Sequence, residues 1–139
     1  MKTISYFLTV LAVLSATCFI STPPNAMAEE AATFSIARLV VCNNVVDMEP
    51  ELGRDEKFSL NIGKVYCFLE ARQISADTEI NFVWIHEGIT QARVPVTLKK
   101  GWRWRTYSNK KLGTMSGNWS VEIHDANDAV VDSVQFAVE

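Results

Sequence analysis

Period-two alternation of apolar and polar side chains is the feature that most constrains this chain, because it recurs in short runs and no stretch beyond the first thirty residues shows a helical repeat. Phe34 to Cys42 is a β-rich run. Lys64 to Arg72 sets Val65, Cys67 and Leu69 on one face and Tyr66, Phe68 and Glu70 on the other, so most of that strand must be covered on both sides. Glu79 to His86 alternates Ile80, Phe82 and Trp84 against Asn81, Val83 and Ile85, and Glu87-Gly88 marks a turn into Thr90 to Leu98, which reads as a hairpin. Lys99-Lys100-Gly101 turns again, Trp102 to Tyr107 alternates aromatic and basic residues, Asn118 to His124 puts Trp119, Val121 and Ile123 on one face, and Ala129 to Val138 closes the chain. Asn43 to Lys57, with Pro50 and Gly53, reads as a long polar connection. These strands predict an all-β protein, a single small antiparallel β-sandwich of immunoglobulin-like packing, with Trp84 and the late aromatics in its core. The spacing of the two cysteines is nevertheless too short for the usual inter-sheet bridge of immunoglobulin domains.

The segment before the sandwich reads as an address. One cation, Lys2, precedes an apolar run from Ile4 to Ile20, no further charge falls before Glu29, and Pro23-Pro24 is followed by Ala26-Met27-Ala28, small residues of the kind a signal peptidase accepts. Residues 1–28 are therefore expected to be a cleaved signal peptide and residues 29–139 the sandwich domain, periplasmic or secreted, without a membrane span in the mature protein. Two alternatives stay open. An uncleaved anchor needs about 20 apolar residues, and this run is short and ends in prolines; a lipoprotein signal would centre on Cys18, but Ser15-Ala16-Thr17 lacks the residues expected before it.

Export places Cys42 and Cys67, the two cysteines of the mature chain, in an oxidising compartment, where an even pair predicts a disulfide. The competing reading is two buried thiols packed as small hydrophobes. Charge is mild in total, −3 for the whole chain, but segregated. Gly88 to Val121 holds Arg93, Lys99, Lys100, Arg103, Arg105, Lys110 and Lys111, and all 16 carboxylates lie outside it. Such segregation implies either an anion-binding face or basic strands paired with acidic ones across a sheet.

The local sequence richest in chemistry is WRWRTYSNKK, residues 102 to 111. On a strand, Trp102, Trp104 and Thr106 share one face while Arg103, Arg105 and Tyr107 share the other. As a site, this would let arginines grip carboxylate or phosphate while nearby rings stack on sugars or other planar groups, with Arg103, Trp104, Arg105, Tyr107, Lys110 and Trp119 as the binding candidates. As framework, the tryptophans would fill the core and the arginines would pair with carboxylates or lie over neighbouring rings. His86 beside Glu87 and His124 beside Asp125 would form a small metal or hydrolytic site only if their two turns share one end of the sandwich. No nucleophile motif, cofactor motif or calcium loop is present, so neither catalytic residues nor a cofactor nor a metal site is expected. A net-negative exported domain is a poor nucleic-acid binder, and no amphipathic helix offers membrane attachment.

Several ordered segments resemble the bacterial domain of unknown function 2914: VVCNNV at Cys42 followed by Glu49-Pro50, GKVYCFLEAR at 63–72, FVWIHEG at 82–88, ARVPVTL at 92–98, WRWRTYSNKKL at 102–112 and GNWSVEIHDAND at 117–128. The resemblance implies an envelope-associated β domain and carries over no catalytic residue. Its matched positions, Cys42, Cys67, Trp104, Arg105, Lys110, Gly117 and Trp119, suit framework as well as site. The chain departs from the family pattern at Tyr107, where Trp is commoner, and at Met48, where Arg precedes the Glu-Pro pair. Together these readings lead to an exported, non-enzymatic binding or interaction module of the cell envelope, with an envelope protein or an anionic ligand as its partner. The alternatives are a metalloprotein or hydrolase using His86 and His124, and a structural accessory subunit.

Overall fold

The computed structural model describes residues 33–51 and 57–139, so the expected signal peptide, residues 1–28, lies outside the described residues. The strands are β1 (Ser35–Cys42), β2 (Val45–Val46), β3 (Glu49–Pro50), β4 (Lys57–Phe58), β5 (Lys64–Ile74), β6 (Thr78–His86), β7 (Ile89–Leu98), β8 (Gly101–Lys111), β9 (Gly117–His124) and β10 (Val130–Val138). A 3-10 turn at Leu60–Ile62 precedes β5. No helix among the described residues is long and apolar enough to cross a membrane.

Seven long strands divide into two antiparallel sheets, β1-β5-β8 and β10-β9-β6-β7, the second extended by a short parallel pairing of β4 with β10. This is the expected immunoglobulin-like sandwich, with β7 hydrogen-bonded to β6 instead of joining the smaller sheet as in constant-type domains. Glu87 and Gly88, at φ 47° and 78°, make the two-residue turn between β6 and β7 whose positive φ angles match the natural strand twist. The alternation read from β5, β6 and β9 sends Val65, Cys67, Leu69, Phe82, Trp84, Trp119 and Val121 into one core. Phe136 joins them, stacked on Trp119 at 6.0 Å and edge-on to Trp84 at 6.3 Å. The buried Trp84 donates its Nε1–H to Ser108 Oγ at 3.1 Å, tying β6 of the larger sheet to β8 of the smaller across the core.

Three expectations need correction. The connection after β1 is not wholly irregular: β2 and β3 form a miniature hairpin, turned by Asp47 and Met48 at φ 50° and 58°. Two rungs are too few for alternation to announce them. The Cys42–Cys67 bridge is not seen; both residues are buried, and the β1–β5 register sets Cys67 opposite Val41 and Cys42 opposite Tyr66. One step out of register puts the two side chains on opposite faces of the sheet. Cys67 enters the core, where burial pushes its thiol pKa well up, while Cys42 Sγ lies 3.2 Å from the Asn44 carbonyl oxygen, to which it donates. Finally, Trp102 and Trp104 do not fill the core: they remain 66% and 37% exposed. β8 is the edge of the smaller sheet, and Trp104 stands opposite only the small Ala71.

Candidate binding surface

The outward face of β1-β5-β8 is built in rungs. Arg38, Glu70 and Arg105 lie across one rung, Val40, Phe68 and Tyr107 across the next, and Arg72 and Arg103 face each other on the far side of Glu70. Glu70 follows Tyr66 and Phe68 on this face of β5, and its side chain is only 1% exposed. A carboxylate that deep must be paired to stay charged. Arg38 reaches its Oε2 with Nη2 at 2.6 Å and Nε at 3.0 Å, Arg103 Nη2 donates to the same oxygen at 3.0 Å, and Arg72 Nη2 and Nε hold Oε1 at 2.7 and 2.8 Å. Burial raises the Glu70 pKa, but the hydrogen bonds from Arg103, Arg38 and Arg72 overcome it and hold the carboxyl at about 2.

A second carboxylate arrives from the β2–β3 hairpin. Glu49 receives Arg38 as a two-pronged fork at 2.9 and 3.2 Å and Arg105 Nη1 at 2.6 Å, with Arg103 Nη2 at 3.6 Å. The hydrogen bonds from Arg38 and then Arg105 lower the Glu49 pKa, and the bonds from Arg38 to Glu49 and Glu70 raise its own. Four arginines thus share two carboxylates. Among the described residues the face keeps a cationic surplus, to which Lys64 and Lys111, paired across the β5–β8 ladder, add. Aromatic surface continues it: Arg38 lies 4.9 Å over Phe68, Lys64 5.9 Å over Tyr66, and Tyr66 contacts Tyr107 at 5.9 Å.

The sequence candidates therefore fall in three places. Arg103, Arg105 and Tyr107 share the outward face. Trp104 and Lys110 point to the inner side of β8, and the Lys110 Nζ donates to the Lys111 carbonyl at 3.2 Å. Trp119 is a core residue of the larger sheet, its Nε1–H donated to Met115 O at 2.9 Å. Arg103 and Arg105 pair with carboxylates of the same chain, as the framework reading requires, whereas among the described residues no carboxylate contact is seen for Lys110. Residue types alone missed Arg38, Glu49, Glu70 and Arg72 as members of this surface. For Glu70 a signal existed, since an acid in a strand covered on both sides must meet cations.

The outward face of the larger sheet is different. His124 sits between Glu122 Oε2, 2.8 Å from Nε2, and Asp128 Oδ1, 2.9 Å from Nδ1, and Arg93 donates to that Asp128 oxygen at 2.8 Å. The bonds to Glu122 and then Asp128 raise the His124 pKa. His86 is not nearby: the β6–β9 register pairs it with Trp119 and pairs His124 with Asn81, five rungs away, or about 17 Å at 3.4 Å per residue. A mononuclear metal site shared by the two histidines does not fit this spacing, since metal bonds near 2 Å cannot span that gap. An open groove of about 1020 Å³ crosses this sheet over Asn118, Ser120, Ser133 and Gln135. Its carboxylate, Glu87, accepts the Asn118 N–H at 2.7 Å, and Gly117 beside it has φ 112°, a backbone conformation that favours glycine.

The family model described as "Protein of unknown function (DUF2914)" matches residues 77–138. No curated protein matches the chain. Solved structures that resemble it include a β-glucosidase from Listeria innocua in complex with glucose (10% identity, TM-score 0.46, 76% of this chain and 15% of that one). A GH3 β-glucosidase from Bifidobacterium adolescentis (8%, 0.45, 76% and 17%) and a β-glucosidase from Kluyveromyces marxianus (10%, 0.44, 76% and 14%) are similar to the same extent. The chain spans about one-sixth of the length of these enzymes.

Proposed function

Over residues 77–138 the chain belongs to the DUF2914 family, whose description names no activity, and we propose from the chemistry of its surface that it is a non-enzymatic interaction module of the cell envelope that holds an anionic partner along β8. The observation that carries this reading is β8 itself. It stands at the rim of the smaller sheet, bears Arg103, Arg105, Lys110 and Lys111 with no carboxylate, and leaves Trp102, Trp104 and Tyr107 exposed. Arginine forks and aromatic rings are the side chains that binding surfaces favour over lysine and aliphatics. The partner's charge follows from the cationic surplus, and the envelope location from the sequence of residues 1–28.

Titration calorimetry of the purified protein with poly-L-glutamate, an anionic polysaccharide such as polygalacturonate, and neutral dextran tests the proposal. At low ionic strength at least one anionic polymer binds, dextran does not, and the joint change Trp102→Ala, Trp104→Ala weakens binding by roughly tenfold while leaving the unfolding temperature unchanged. Failure of both anionic polymers to bind, or equal affinity in the variant, overturns it.

A further inference from the structure

The edge of β8 shows which anionic partner fits. Eleven residues, Gly101 to Lys111, run without a proline or an interrupting bulge in β8 itself for about 36 Å at 3.3 Å per residue, and among the described residues no strand pairs with their outer side. A free edge of that length presents a row of unpaired N–H and C=O groups, the template onto which another extended chain adds. The other edge strand formed after the β6 turn, β7, carries Pro95, which cannot donate to a ladder. β8 has no such block.

We infer that β8 receives an extended acidic polypeptide as an added strand, backbone to backbone. The inference rests on the reading of β8 as the contact surface and specifies its occupant. A second copy of β8 fits poorly, because it would set four more cations and no carboxylate beside Arg103, Arg105, Lys110 and Lys111 along one edge, and charges of one sign so gathered repel. An acidic strand relieves that repulsion. Alternation then defines the partner further: its residues on the outward side meet Arg103, Arg105 and Tyr107, and those on the inner side meet Trp102 and Trp104. The matching segment therefore alternates Glu or Asp with apolar residues. Cationic edges also serve to repel unwanted pairing, but that role is served by charge alone, whereas two exposed tryptophans on the same edge add the sticky surface such protection avoids.

The test uses synthetic peptides of about ten residues: alternating Glu-Val, the same peptide N-methylated at every second residue on the edge meant to face β8, and alternating Lys-Val. Affinity is measured by fluorescence anisotropy, and amide hydrogen exchange is followed along β8 in the full protein. The Glu-Val peptide binds and slows exchange at alternate β8 amides, N-methylation weakens binding by about tenfold or more, and Lys-Val does not bind. Equal binding of the N-methylated and unmodified Glu-Val peptides overturns strand addition yet leaves the anion-binding module standing. If polyglutamate and polygalacturonate also fail to bind, the module reading falls with it.

Discussion

The outward faces of the two sheets solve the same problem, charged residues on pleated strands, with opposite economies of burial. On β1-β5-β8 a carboxylate is sunk among strands and wrapped by three guanidiniums, with a second carboxylate brought in from a hairpin. On the larger sheet a nearly buried imidazole is held between two carboxylates, one of them exposed and shared with Arg93. Depth decides the cost of breaking each arrangement, because removing one member of a buried network strands the others, while an exposed pair is replaced by water. The identity of the central group decides the pH sign: the first face depends on a proton being absent from Glu70 and the second on a proton being present on His124.

The largest difference is expected from Glu70→Ala. It leaves Arg38, Arg72 and Arg103 without their shared acceptor, and urea unfolding should show a loss of about 3 kcal/mol, the low end for a buried pair because the guanidiniums keep contact with water. A loss below about 1 kcal/mol would show that the network is only decorative. Acid comes next. Since the folded Glu70 pKa, about 2, lies below the unfolded value near 4.3, its stabilisation is complete above the unfolded pKa and disappears as pH falls through the folded one. Thermal midpoints of the wild type between pH 5 and pH 2 should therefore fall more steeply than those of Glu70→Ala, and parallel curves would contradict the assignment. His124→Gln reverses the direction. A raised histidine pKa contributes stability that is whole below about 6.5 and is lost as pH rises through the raised value, so the wild type should lose stability over that alkaline-going window while the variant stays level. The effect should be about 1 kcal/mol or less. Smallest of all, Arg93→Ala should leave the urea midpoint unchanged, since its ion pair is open to solvent; a clear shift would erase the contrast between the faces.

How much of this was legible beforehand varies with the range of the interaction involved. The limits of β5, β6 and β9 match the alternation to within a residue or two, and Glu87-Gly88 marks its hairpin, because side-chain direction and turn φ are local properties. The alternation marks β8 only as far as Tyr107, yet the strand continues to Lys111, since Ser108, Asn109, Lys110 and Lys111 have no strand-forming pattern of their own and are held by the ladder to β5. The two cysteines show the same limit at finer scale. Their even number suggests a bridge, but a register one step out gives each its own face.

From its residues alone, the chain announces a strand-built domain with a basic, aromatic run free of carboxylates. Strand order is a non-local outcome, and it alone made that run a sheet edge, drew Arg38, Arg72, Arg103 and Arg105 from three strands around Glu49 and Glu70, and set His86 and His124 apart. A side chain's neighbours across a ladder come from whichever strand lies alongside, and packing between the two sheets chooses that strand.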